Sequence, residues 1–163
     1  MSYRNKTYVL FDAGSGVVTE PDLCNYRLMK AWKNNENIDF NFHDAHDINN
    51  ITGRAQEAQI KKKLRERFKN AKQFVVIAGK NTKSNTTFVK WEIEIALALK
   101  LPIIVAYMNK SEKLDESVCP TALVDENCVH VPFSPKKIKH ALDNFPNHYA
   151  ANKDKEKTNY HYN

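Results

Sequence analysis

Two runs of apolar, β-branched residues dominate the pattern of the chain: Gln73-Phe-Val-Val-Ile-Ala-Gly79 and Leu101-Pro-Ile-Ile-Val-Ala-Tyr107. Each has the length and near-continuous apolarity of a strand buried on both faces. Between them lie a polar loop, Lys80 to Thr87, and a run from Phe88 to Lys100 long enough for a helix. The pattern predicts a strand, a crossover helix and a parallel neighbouring strand.

The rest of the chain repeats this alternation. Thr7 to Phe11 predicts a first strand, stopped by Asp12-Ala-Gly-Ser-Gly16, where Gly14 and Gly16 permit a tight turn or close approach of backbone to a ligand. Thr19-Glu-Pro-Asp22 has the composition of a helix start, and Leu23, Tyr26, Met29 and Trp32 form its apolar stripe. Ile38 to Phe42 alternates with period two, as in a strand near a sheet edge, and Ile48 to Arg54 reads as a loop. Ile60, Leu64, Phe68 and Ala71 predict a helix over residues 55–72. Met108 to Cys128 is an excursion with at most a short helix. Val129 to Phe133 is a last strand whose Pro132 suits an edge, and Ser134-Pro135 opens a closing helix that buries Ile138, Leu142 and Phe145. Five βα units in series predict an α/β, flavodoxin-like architecture: a five-stranded, mostly parallel sheet with helices on both faces. A single domain is expected over residues 1–147, followed by a polar, disordered tail over 148–163, and a chain ending at Asn152 should keep its fold.

Length and composition keep this picture. The 163 residues, 42% of them hydrophobic, suit one globular domain. No apolar run reaches the length of a membrane span, and the N-terminus lacks the apolar segment of a signal peptide, so a cytoplasmic protein with no membrane partner is expected. Cys24, Cys119 and Cys128 are odd in number and lack metal-ligand spacing, as for reduced thiols. The net charge of +6 is concentrated in Lys61 to Lys69 and in Lys153, Lys155 and Lys157. The first group occupies the solvent face of an amphipathic helix without interleaved aromatics, so nucleic acid is not an expected partner. His43, Asp44, His46 and Asp47 form no complete ligand set of known geometry; no metal is expected, and this stretch reads as a polar loop at the active edge of the sheet.

Glu92 changes the picture most. On a helix its neighbours one turn away are Phe88, Val89, Ile95 and Ala96, so its carboxylate rises from an apolar patch, whereas Glu94 has Lys90 one turn before it. By the residues alone, Glu92 reads first as an acid complementing a helix N-terminal dipole. The alternative is a carboxylate at the edge where open α/β sheets bind ligands.

A resemblance reverses that order. The text Thr82-Lys-Ser-Asn-Thr-Thr-Phe88-Val-Lys-Trp91-Glu92-Ile93-Glu-Ile-Ala96-Leu97, followed by Leu101-Pro-Ile-Ile, resembles a TIR domain. More specifically, it resembles the bacterial TIR-like group that includes the ThsB component of Thoeris anti-phage defence. The likeness runs from Tyr8 through the closing helix. It implies that Glu92 is the catalytic glutamate of an NAD-consuming enzyme, in a Trp-x-x-x-Glu pattern whose tryptophan is here Phe88. It leaves Trp91 as a second aromatic of the pocket, assigns Phe11 and Asp12 to the nucleotide-facing first loop, and makes Asp44 to about Gly53 the mobile second loop. NAD would be the substrate, with no resident cofactor, and a cyclic ADP-ribose isomer the product, acting on a separate effector. Self-association through TIR surfaces is also implied. The rival reading is a TIR-like interaction module without turnover, to which the Phe88 departure lends weight; a nucleoside deoxyribosyltransferase-like enzyme is a minor alternative. A response-regulator receiver needs an aspartate where this chain has Ala78-Gly79, and a flavodoxin needs more hydroxyls than Asp12 to Gly16 supplies.

Overall fold

A computed structural model describes residues 6–10, 31, 42–44, 57–79, 88–155 and 157–162. The elements in chain order are β1 (Lys6–Leu10), β2 (Phe42–Asp44), α1 (Glu57–Phe68), β3 (Ala71–Ala78), α2 (Phe88–Ala98), β4 (Ile103–Tyr107), a 3-10 turn (Thr121–Leu123), β5 (Cys128–Pro132), α3 (Pro135–Asn152) and β6 (Tyr160–His161). The sheet order is β2-β1-β3-β4-β5-β6, and every pairing is parallel.

Alternation along the buried strands divides the core into two layers. Tyr8, Leu10, Phe74, Val76, Ala78, Ile103, Val105 and Tyr107 point to one face, where Ile60, Leu64 and Phe68 of α1 and Val89, Ile93 and Ala96 of α2 cover them. Val9, Val75, Ile77, Ile104, Ala106, Val129 and Val131 point to the other, under Ile138, Ala141 and Phe145 of α3. Complete burial of a side chain such as Phe74 or Ile77 contributes about 1.5–3 kcal/mol, so the two apolar layers fix which helix lies on which face. Rings of Tyr8, Phe68 and Phe74 meet at centroid distances of 4.9 to 6.1 Å and tie β1, α1 and β3 together. The Tyr8 hydroxyl also donates to the carbonyl of Arg67 at 3.1 Å, satisfying an acceptor in the last turn of α1.

The five expected strands are present, and several bounds differ from expectation. The α1 helix ends at Phe68, and Ala71 belongs to β3, paired with β1. Ala71 is buried either way, so its apolarity could not separate helix from strand. β2 is Phe42–Asp44, so His43 and Asp44 are strand residues paired with β1 and not the start of a loop, while residues 38–41 of the expected strand lie outside the described residues. Of the predicted helix near Leu23 only Ala31, helical and exposed, lies within the described residues. The closing helix does not stop before Pro146 but runs through it to Asn152. Proline there removes one backbone bond at a cost of about 3 kcal/mol in a helix interior, which packing of Phe145 against Tyr149 and Tyr160 helps to offset.

The chain end also departs from a free polar tail starting at residue 148. Residues 160–161 add a sixth strand beside β5, with Val129 opposite Tyr160 and His130 opposite His161. Lys157 pairs with Glu126 at 2.8 Å, and the Thr158 amide donates to Asn127 Oδ1 at 2.6 Å. Polar side chains seat this segment, and a composition argument sees them only as solvated.

Candidate active site

The α2 helix carries the candidate catalytic group. Val89, Ile93, Ile95 and Ala96 are buried while Lys90, Glu94 and Ala98 are exposed, giving one apolar stripe. The helix closes with Lys100 at φ 52°, its amide bonded to the carbonyl of Leu97 at 3.0 Å, and Pro102 follows.

Glu92 is 1% exposed, and both its carboxylate oxygens are buried. Among the described residues it is the only buried carboxylate. Carboxylates are rarely buried to this degree, and a buried carboxylate in an apolar layer is a candidate functional group. Glu94, two residues on, is 45% exposed and lies 3.9 Å from Lys90 Nζ, an ordinary surface pair.

The fold puts Glu92 at a ligand-binding edge. The chain moves from β1 outward to β2, then returns to β3 on the other side of β1, so strand order reverses between β1 and β3. Ligands of open α/β sheets bind at such a reversal, outside the carboxyl ends of the strands. Glu92 lies in the second turn of the helix that follows β3, and α2 lies against α1, β1 and the 3-10 turn.

The other predicted site residues are placed unequally. Asp44 is the last residue of β2 and pairs with Val9, which brings its backbone to the carboxyl edge beside the end of β1. Phe88 is the first residue of α2. The side chains of Asp44 and Phe88, and all of Phe11, Asp12 and residues 45–53, lie outside the described residues. Trp91 is half-buried against the apolar layer, with Lys61 Nζ of α1 at 5.4 Å from its ring centroid. Its visible partner is thus the neighbouring helix. Among the described residues no three His, Cys, Asp or Glu side chains gather as a metal set.

A second buried polar group went unnoticed in the sequence. The Tyr107 hydroxyl, at the carboxyl end of β4, lies 2.7 Å from His130 Nδ1 and accepts the Asp115 amide at 3.3 Å. His130 Nε2 is 2.9 Å from Asn159 Oδ1, and Asn159 Nδ2 donates to the carbonyl of Val124 at 2.6 Å. With Asn159 oriented this way, His130 is neutral with its proton on Nε2, and Tyr107 donates to Nδ1. Burial lowers the His130 pKa and raises that of Tyr107. A histidine inside the apolar strand Cys128–Phe133 was the available signal; its partner, thirty residues later in a polar segment, was not readable from local pattern.

The family model described as Thoeris protein ThsB, TIR-like domain, matches residues 2–113. The chain belongs to that family. The matched span holds β1 through β4, α2 and Glu92, and the parallel α/β sheet is the flavodoxin-like TIR fold. As a TIR-like domain of the Thoeris ThsB family, the chain is a TIR-type defence protein.

Proposed function

We propose that this ThsB-family TIR-like protein cleaves the nicotinamide-ribose bond of NAD, with Glu92 as the catalytic residue. The observation that carries this reading is a carboxylate 1% exposed on an apolar helix face, in the helix that follows β3 beside the reversal of strand order; the resemblance to TIR domains supports it by implying a catalytic glutamate at residue 92. The chemistry suits so sparse a site. The bond from ribose C1′ to the nicotinamide nitrogen breaks with its electron pair passing to nicotinamide, which leaves neutral and needs no proton. What remains is a ribosyl cation, and one carboxylate in a low-dielectric site stabilises that developing charge or holds the ribose hydroxyls. Capture by a nucleophile within the same ADP-ribosyl group, with loss of a proton, yields a cyclic ADP-ribose isomer. Exclusion of water favours that route over hydrolysis. The cyclic product would carry the defence signal to a separate effector.

Purified protein incubated with NAD, alone and with lysate of phage-infected cells, should release nicotinamide and form a product with the mass of cyclic ADP-ribose. No release under either condition would favour the second reading, an interaction module without turnover, to which Phe88 in place of the indole lends support.

A further inference from the structure

A cleft of about 220 Å³ opens at the amino-terminal edge of the sheet, opposite the edge that Glu92 approaches. Leu97, Leu101, Ile103 and Tyr149 of α3 supply the apolar part of its lining. Three cations from separate parts of the chain converge on it: Lys100 after α2, Lys153 after α3 and Lys157 of the terminal segment. A single carboxylate, Glu126, faces them, and Lys157 occupies it at 2.8 Å. Lys100 and Lys153 have no carboxylate partner among the described residues.

Two features set these lysines apart from a solvated surface. Lys100 holds φ 52°, which a glycine would adopt freely and a side-chain-bearing residue adopts at a cost of about 1 kcal/mol. Complementing the C-terminal dipoles of α2 and α3 would explain one lysine at each helix end, since each such contact is worth ~0.3–1 kcal/mol. It does not explain why both lysines, with a third from the chain end, line the same concave space beside apolar side chains.

We infer that this cleft is a second ligand site, separate from the Glu92 site, which takes a phosphate-bearing nucleotide. Its phosphates meet Lys100 and Lys153, and its less polar part rests on Leu97, Leu101 and Tyr149. The concave shape and mixed apolar and basic lining favour a compact ligand over an extended acidic peptide, and lysine supplies the point charges that phosphate needs. Because Lys157 lines the same cleft, ligand binding and docking of the terminal segment should reinforce each other.

The test is titration of the full chain with ADP, adenosine and inorganic phosphate, followed by amide chemical shifts and calorimetry. ADP should shift the amides around Leu97 to Leu101 and Glu126 to Asn127 and bind at least about tenfold more tightly than either adenosine or phosphate. Lys100→Met and Lys153→Met should each weaken ADP binding at that cleft by at least about tenfold, while Glu92→Gln leaves it unchanged. Absence of shifts in these segments at millimolar ADP would overturn the inference. So would binding that ignores both lysine substitutions, or phosphate binding as tightly as ADP. None of these readouts depends on NAD cleavage, so the cleft and the Glu92 assignment stand or fall separately.

Discussion

Glu92 and Glu94 stand two residues apart on one helix and differ in almost every physical respect. One is buried in an apolar layer; the other is 45% exposed beside Lys90. That contrast was legible in the sequence, because the residues one turn from Glu92 are all apolar and Glu94 has a lysine there. Phe88 was legible as the residue one turn before Glu92, whereas Phe11 and Asp12 came only from the family resemblance and lie outside the described residues. Trp91 lies about 100° around the helix from Glu92, and the cation above it belongs to α1. Trp91→Ala should therefore lower stability by about 2 kcal/mol, through lost packing and a lost cation-π contact, as measured by urea denaturation. A variant as stable as the parent but without turnover would place the indole in the nucleotide pocket instead.

Among the elements, the strands β3 and β4 were legible apart from their ends, because burial on both faces writes a nearly continuous apolar run. The terminal segment was not, because its attachment is made of hydrogen bonds. Asn159 joins His130 and Val124, Thr158 joins Asn127, and β6 adds backbone pairs to β5. A chain ending at Asn152 would leave buried polar groups of Asn127 and His130 without these partners, each costing about 1–3 kcal/mol. The expected loss is about 2–4 kcal/mol in total, or a fall in Tm of roughly 5–15 °C. An unchanged Tm would mean that the segment does not pack against β5 in solution.

His130 makes the same region sensitive to acid. Burial lowers its pKa below the ordinary value of 6.5, so the unfolded chain binds a proton more readily than the folded one. Its contribution to stability is complete above the unfolded pKa and is lost as pH falls through 6.5 toward the lowered folded value. Denaturant titrations across this range should show stability falling with acidification, with a shallower slope in His130→Gln. Equal slopes in the two proteins would show that His130 does not titrate between the folded and unfolded states.

At the scale of the whole molecule, the α/β class followed from alternation alone, whereas the sixth strand and the passage of α3 through Pro146 depended on contacts distant in sequence. No helix among the described residues is long and apolar enough to cross a membrane. The net charge of +6 sits partly on the outer face of α1, whose inner stripe, Ile60, Leu64 and Phe68, is fully used in the core. Scattered exposed lysines give weak, salt-screened attraction, so duplex DNA or RNA should not bind with submicromolar affinity near physiological ionic strength. Fluorescence anisotropy with a labelled duplex checks this, and tight, steeply salt-dependent binding would contradict it.

The central claim is that one buried carboxylate stabilises the ribosyl cation formed from NAD. The most direct measurement is the rate of nicotinamide release by the Glu92→Gln protein relative to wild type, under conditions where the wild type turns over. Glu94→Gln, which should change stability by less than about 0.5 kcal/mol, serves as the matched control. Removing the charge while keeping the shape of residue 92 should slow release at least ~100-fold, about 2.7 kcal/mol of barrier, with the melting temperature preserved and Glu94→Gln near wild-type rate. Near wild-type release from Glu92→Gln, or loss of release in Glu94→Gln alone, would contradict the account.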